Sequence, residues 1–292
     1  MASLKEIRSR IGSVKSTQKI TSAMKMIASS KLRKAQTAIT NFLPYQEKLD
    51  AILTNLLASD TTYDSPFTKV REVKRTAIVA FSSNSSLCGA FNANVIKEFR
   101  AEYEKKKHLG TENVLIYPVG KKITDAVKKM KLAPQGDYKD MADKPSYQAV
   151  QELAKELIDK YIKEEIDEVI LIFFHFVSTG SQILKNVTYL PFNLAQSGEA
   201  TDNSHQVDYI LEPSKDEILE SLVPTVLYSR LYAVLLDSSA SEHAARTMAM
   251  QVATDNATDL IKDLTMEYNK SRQQAVTNEL LDIIGGASAL QK

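Results

Sequence analysis

The residues best placed to do chemistry lie in one short stretch, Ser82-Ser83-Asn84-Ser85-Ser86-Leu87-Cys88-Gly89, directly after the apolar run Thr76–Phe81. α/β folds often place ligands where a strand ends in such a loop. A serine or cysteine nucleophile there needs a base within hydrogen-bond reach, and no pattern around it supplies one. Phosphate binding needs glycines that let backbone N–H groups approach. Neither G-x-x-x-x-G-K-[ST] nor G-x-G-x-x-G occurs in the chain. Cys88 is the only cysteine, which excludes a disulfide framework and zinc sites built on cysteine pairs. It reads as a small buried packing residue. The four histidines, His108, His175, His205 and His243, are too scattered for a metal centre. His175 sits in an apolar run and reads as a satisfied core histidine; His243, beside Glu242, is either at the surface or turned to a partner. No catalytic residue, cofactor site or metal site is expected, and the middle of the chain is expected to bind no nucleotide.

The elements that would carry such a loop are legible from periodicity. Thr76–Phe81, Val114–Tyr117 (ended by Pro118) and Val169–Phe174 read as buried strands, and Ile183–Leu190 as a hairpin partner turning at Thr179-Gly180. Helical patterns lie between them, running to about Lys107, over Lys121–Lys131, and from Pro145 through Tyr161. This alternation predicts an open, Rossmann-like α/β domain over 70–195, with a polar loop at 195–208.

Both ends predict long helices. Leu4, Ile7, Ile11 and Val14 follow a coiled-coil spacing. The heptad then slips, and Ile20, Met24, Ile27, Leu32, Ala35, Ile39 and Phe42 continue the stripe at about 3.6 residues per turn. Pro44 marks a kink or joint, and a break is expected after Ala58. Thr225–Ile284 holds no Gly or Pro. As one helix it is about 90 Å long, whereas a compact globule of this size is roughly 50 Å across. Its stripe (Leu227, Leu231, Val234, Ala245, Met248, Val252, Leu260, Leu264, Tyr268) needs a partner along its length. The expected architecture is an antiparallel coiled coil of helices at 1–58 and 209–292 attached to the α/β domain.

The net charge of +1 hides an asymmetry: residues 1–40 carry +8 and residues 199–292 carry −8. The basic first helix admits a coiled-coil nucleic-acid-binding protein as an alternative; pairing with the acidic last helix is the reading favoured here. No run of 18 apolar residues exists, so no membrane span is expected. The basic, serine-containing start could be a transit peptide, but the helical pattern continues from Leu4 beyond Met26 without a cleavage-like break. A protein made and kept in the cytosol is expected.

The two ends also carry a resemblance. Residues 7–26, Ile7-Arg8-Ser9-Arg10-Ile11-Gly12-Ser13-Val14 through Thr21-Ser22-Ala23-Met24-Lys25-Met26, continued by Lys31-Leu32-Arg33-Lys34-Ala35-Gln36, resemble the opening helix of the γ subunits of F-type ATP synthases. Residues 268–280, including Ser271-Arg272-Gln273-Gln274-Ala275-Val276-Thr277-Asn278-Glu279, resemble that family's carboxy-terminal signature, and Ala244–Met250 and Ala253–Ala257 fit it too. One departure stands out: where the family usually has Asp-Arg-Gly before Leu-Cys-Gly, this chain has Asn84-Ser85-Ser86, and Ala90 replaces the next glycine. The departure bears on any local ion pair in that loop, not on the assignment.

The resemblance implies a non-catalytic rotor shaft that transmits torque between a membrane c-ring and a ring of α and β subunits. It implies α, β, ε and c-ring partners, no nucleic acid, and a peripheral place on the cytoplasmic side of a bacterial inner membrane, held only through the complex. By position it implies β-subunit contacts at Met24, Arg246, Gln273, Thr277 and Glu279, and c-ring contacts at Tyr209 and Glu212.

Overall fold

In the computed structural model the described residues are 3–58, 66–192, 211–212 and 214–290. They form α1 (Leu4–Ala58), β1 (Thr76–Phe81), α2 (Phe91–Lys106), β2 (Val114–Val119), α3 (Lys121–Lys129), α4 (Lys139–Asp143), α5 (Tyr147–Ile162), β3 (Glu168–Ser178), β4 (Ser181–Leu190) and α6 (Lys215–Leu290). Two compact units result: one spans Ser29–Arg246, the other joins Met1–Ala28 to Thr247–Lys292. The expected loop at 195–208 lies outside the described residues.

The unit Ser29–Arg246 is built on a four-stranded sheet of order β2-β1-β3-β4, parallel except for β4. Ile78, Ile116, Ile170 and Ile172 point to one face and pack on Val95 and Phe99 of α2 and Ile123 and Val127 of α3. Val79, Tyr117, Val169 and Leu171 point to the other, against Leu153 and Leu157 of α5, Leu227 and Leu231 of α6, and Leu53 and Leu56 of α1. Coverage on both faces is why the central strands are continuous apolar runs rather than alternating ones. β2 does not stop at Pro118 but runs to Val119, with Pro118 opposite Ala80. It is an edge strand, where a missing N–H costs least.

α6 begins at Lys215, inside the range expected for the last helix, and contains Pro224. A proline inside a helix costs about 3 kcal/mol. Leu219 and Val223, both almost fully buried, offset that cost at roughly 1.5–3 kcal/mol each. The start is set by a capping box: Ser214 Oγ accepts from Glu217 N at 3.4 Å and donates to the Glu217 carboxylate at 3.1 Å. α1 opens the same way, with Ser3 N donating to Glu6 Oε2 and Glu6 N to Ser3 Oγ. α1 also passes through Pro44 without ending, and α6 continues through Gly285-Gly286. Although polar residues interrupt it, one 18-residue window within Lys215–Ala287 reaches a mean hydropathy of 1.3; in this helix Leu227, Leu231 and Leu235 are buried on the sheet.

The second unit pairs the start of α1 with the end of α6. Gln18 Nε2 donates to Thr258 Oγ1 at 2.7 Å, and the hydroxyls of Thr21 and Thr254 lie 2.8 Å apart. Numbers fall on α6 as they rise on α1, so the pair is antiparallel. The expected slip in the heptad does not occur. Along α1 one unbroken line of buried or half-buried positions runs 4, 7, 11, 14, 18, 21, 25, 28, 32, 35, 39, 42, 46, 49, 53, 56, alternating steps of three and four, with other half-buried positions such as 24 and 38 beside it. Gln18, Thr21 and Ala28 hold seam positions, while Ile20 and Ile27, expected on the stripe, are 59% and 60% exposed. On α6 the seam likewise includes Met250, Thr254, Ala257, Ile261, Leu264 and Tyr268, leaving Met248, Val252 and Leu260 exposed.

Candidate functional site

The loop after β1 is closed by its own hydrogen bonds. Ser82 Oγ accepts from Ile123 N (3.0 Å), and Asn84 Oδ1 accepts from Lys121 N (2.8 Å), so N–H groups at the start of α3 are taken. Asn84 Nδ2 donates to Lys139 O, tying the loop to α4. Ser83 N donates to Asn92 Oδ1 (3.0 Å), and Asn92 Nδ2 donates to Ser83 Oγ (2.8 Å) and to Cys88 Sγ (3.1 Å). Cys88 is buried beneath it, as expected of a packing residue. Gly120, at φ +99°, sits so close that a Cβ would stand 2.2 Å from Ser82 O. Two strand ends are thus pressed together where a phosphate would have to enter.

The same loop receives Arg246. Its Nη2 donates to Ser85 Oγ (2.7 Å) and to the carbonyls of Ser85 and Ser86 (both 3.2 Å). Its Nη1 is paired with Glu242 one turn back on α6. Both side chains are nearly inaccessible. Burial pushes the Glu242 carboxyl above its ordinary value, and the Arg246 guanidinium opposes that rise. Burial, aided by Lys31 and Arg246, pushes neighbouring His243 down to about 4, so this imidazole is neutral at pH 7. His243 therefore belongs to the interior rather than the surface. His175 is satisfied but is no core histidine: it is 39% exposed, with Nδ1 2.5 Å from Asp237 Oδ2. The strand that holds it is buried only through Phe174, beyond which β3 becomes an increasingly exposed hairpin arm.

The other positions implied by the resemblance differ in their surroundings. Met24 is half-buried and flanks the seam residue Thr21. Gln273, Thr277 and Glu279 are exposed. Thr277 Oγ1 donates to Gln273 O at 2.9 Å, which puts those two on one face; Glu279, two residues on, points elsewhere. Glu212 is exposed, and Tyr209 lies outside the described residues. The apolar tip with Ile283 and Ile284, which the sequence leaves without a complete partner, is exposed, and further apolar residues join it. Met26 is 68% exposed, and Val276, Leu280, Leu281, Ile283 and Ile284 are 49–68% exposed. The pairing of 18 with 258 and 21 with 254 puts the start of α1 level with about residue 272. Beyond that level α6 runs on alone, and every described side chain from Val276 to Ala287 is exposed.

A family profile described as ATP synthase matches residues 3–290. The ATP synthase gamma chain of Phocaeicola vulgatus is 56% identical over 289 residues, covering 99% of this chain and 100% of that one. That of Bacteroides fragilis is 57% identical over 290 residues, with the same coverage. The chain belongs to the ATP synthase gamma chain family. Solved structures agree in fold. A chain of the Euglena gracilis mitochondrial ATP synthase (OSCP/F1/c-ring, rotational state 3) matches with a TM-score of 0.63 at 19% identity, covering 98% of this chain and 94% of its own. A chain of the Tetrahymena thermophila mitochondrial ATP synthase central stalk/c-ring matches with a TM-score of 0.59 at 23% identity, covering 80% and 99%. The gamma family accounts for paired terminal helices joined to a small α/β sheet. Neither the profile nor these relatives favour the nucleic-acid alternative.

Proposed function

We propose that this gamma-family chain is the central shaft of a rotary ATP synthase. It turns with a membrane c-ring and forces catalytic β subunits through their states in sequence, coupling proton flow to ATP synthesis. It performs no bond chemistry itself. Its partners are the α and β subunits around the shaft, with ε and the c-ring at the base. It sits peripherally on the cytoplasmic face of a bacterial inner membrane, held there through the complex. Met24, Gln273, Thr277 and Glu279 are proposed to face β, and Tyr209 and Glu212 the c-ring; Arg246, enclosed by Glu242, Ser85 and Ser86, is proposed to act near β through the loop it holds.

One observation carries this reading: the paired helices take some polar residues into their seam while leaving large apolar ones outside it. Thr21 and Gln18 are in the seam, while Ile20, Met26, Ile27, Ile283 and Ile284 stand in solvent. Such an inversion wastes apolar surface unless a sleeve of other subunits surrounds the pair. The closed, hydrogen-bonded loop at Ser82–Gly89 supports a presenting role for the α/β unit rather than a nucleotide-binding one. Co-expression of the tagged chain with the cognate α, β and ε subunits tests it. Stable co-elution of all three through size exclusion is expected. Elution of the chain alone, or with nucleic acid in their place, would contradict the reading.

A further inference from the structure

The unit Ser29–Arg246 holds a cavity of about 550 Å³ that the rotor reading does not use. Its floor is the β3–β4 face, and α1 and α6 form its walls. Ile39, Phe42, Leu171, Phe173, Phe192 and Val234 make most of the surface apolar. The volume falls within the ~300–1,000 Å³ range of small-molecule sites, and few convergent polar groups on apolar walls are their usual make-up. The acidic groups of the lining are already engaged. Asp50 accepts from Arg230 Nη2 at 2.9 Å, with that guanidinium 4.7 Å from the centre of the Phe192 ring. Asp237 holds His175 at 2.5 Å and accepts from Phe176 N at 3.3 Å. Three polar side chains of the lining make no hydrogen bond or ion pair among the described residues: the half-buried Gln46 amide, the exposed Thr188 hydroxyl and the exposed Lys185 ammonium. The ammonium carries three donors and no acceptor; the amide adds two donors and one acceptor oxygen, and the hydroxyl donates once and also accepts. The unspent polar capacity is thus donor-rich and cationic, at the edge of an apolar hollow.

We infer that this cavity binds a single-chain amphiphilic anion, an alkyl carboxylate whose chain lies along Phe42, Phe173 and Val234 and whose head is met by Lys185. A cationic head of the same chain length gains nothing from Lys185. A polar metabolite would leave the aromatic walls unpaired.

Calorimetric titration of the full chain with dodecanoate below its micellar concentration tests this, with dodecyltrimethylammonium as the matched cation. One-to-one saturable binding of dodecanoate is expected, with the cation at least about tenfold weaker. Lys185→Glu lies at an exposed position and should weaken dodecanoate by about tenfold or more, whereas Lys185→Arg should retain it. Val234→Trp, which fills the hollow without touching the head site, should abolish binding of the chain. Equal binding of the two heads, or dodecanoate binding unchanged in Lys185→Glu, would assign the signal to the exposed apolar tip and overturn the proposal. Absence of saturable binding would overturn it as well.

Discussion

Arg246 shows how one side chain serves the fold whatever else it contacts. Removing it leaves Glu242 buried without its counter-charge. Arg246→Ala should therefore cost about 3 kcal/mol or more, the usual toll for breaking a buried pair from one side. Arg246→Met combined with Glu242→Gln removes both charges and should cost less than the single change. Urea unfolding of the isolated chain reads both; a double variant weaker than Arg246→Ala would refute the pairing. His243 gives a pH signature. Its folded value of about 4 lies below the ordinary 6.5, so between those limits the unfolded chain binds more protons. Stability then rises with pH from about 4 to 6.5 and is lost as pH falls through that window. Lys31, Arg246, Glu242 and Asp143 surround the ring. Glu242, shifted upward, slopes the opposite way above its ordinary 4.5. His243→Asn should flatten the acid limb of the Tm–pH curve between pH 6.5 and 4; an unchanged limb would show that other groups set it. The approach of Lys31 to His243 was not legible in the sequence. Lys31 is more than 200 residues away, and the chain gives no local sign that Ser85 and Ser86 would face Arg246.

At the scale of elements, the strands and the existence of both long helices were legible because both ends lack Gly and Pro over long spans and the buried strands are uninterrupted apolar runs. What was not legible was which face of each helix is the seam. An apolar count favours Ile20 and Ile27, yet packing selects Thr21 and Ala28, because only the strict three–four spacing stays on one line along α1. The capping boxes at Ser3–Glu6 and Ser214–Glu217 were available signals for both helix starts, and the second overrides Pro224 as a boundary marker. The polar seam also has an expected energetic signature. The Thr21 and Thr254 hydroxyls meet across it, and each also lies within reach of a carbonyl of its own helix, Gln18 O and Met250 O, so two protons are shared among three contacts. Replacing both by valine exchanges buried hydroxyls for methyl groups of the same shape. Thr21→Val with Thr254→Val should raise thermal stability, on the order of ~1 kcal/mol. A clear loss would mean the hydroxyl pair stabilises the seam outright.

For the whole molecule, the central claim is motion: the chain turns inside a ring of catalytic subunits while leaving the bond chemistry to them. Exposed apolar residues on both helices of the pair, including Ile20 and Ile27 on α1 and Ile283 and Ile284 on α6, supply the surface for that ring. The sequence offers a clean handle, since its single cysteine is buried and a cysteine placed at the exposed Lys107 is the one a maleimide reaches. A bead tethered at Lys107→Cys, on complexes of the chain with α and β subunits fixed to glass, reports rotation directly. Addition of ATP should drive the bead in one direction, in steps that stop when ATP is withdrawn. ATP hydrolysis by the same surface-bound complexes with beads that only fluctuate about one angle would contradict the claim.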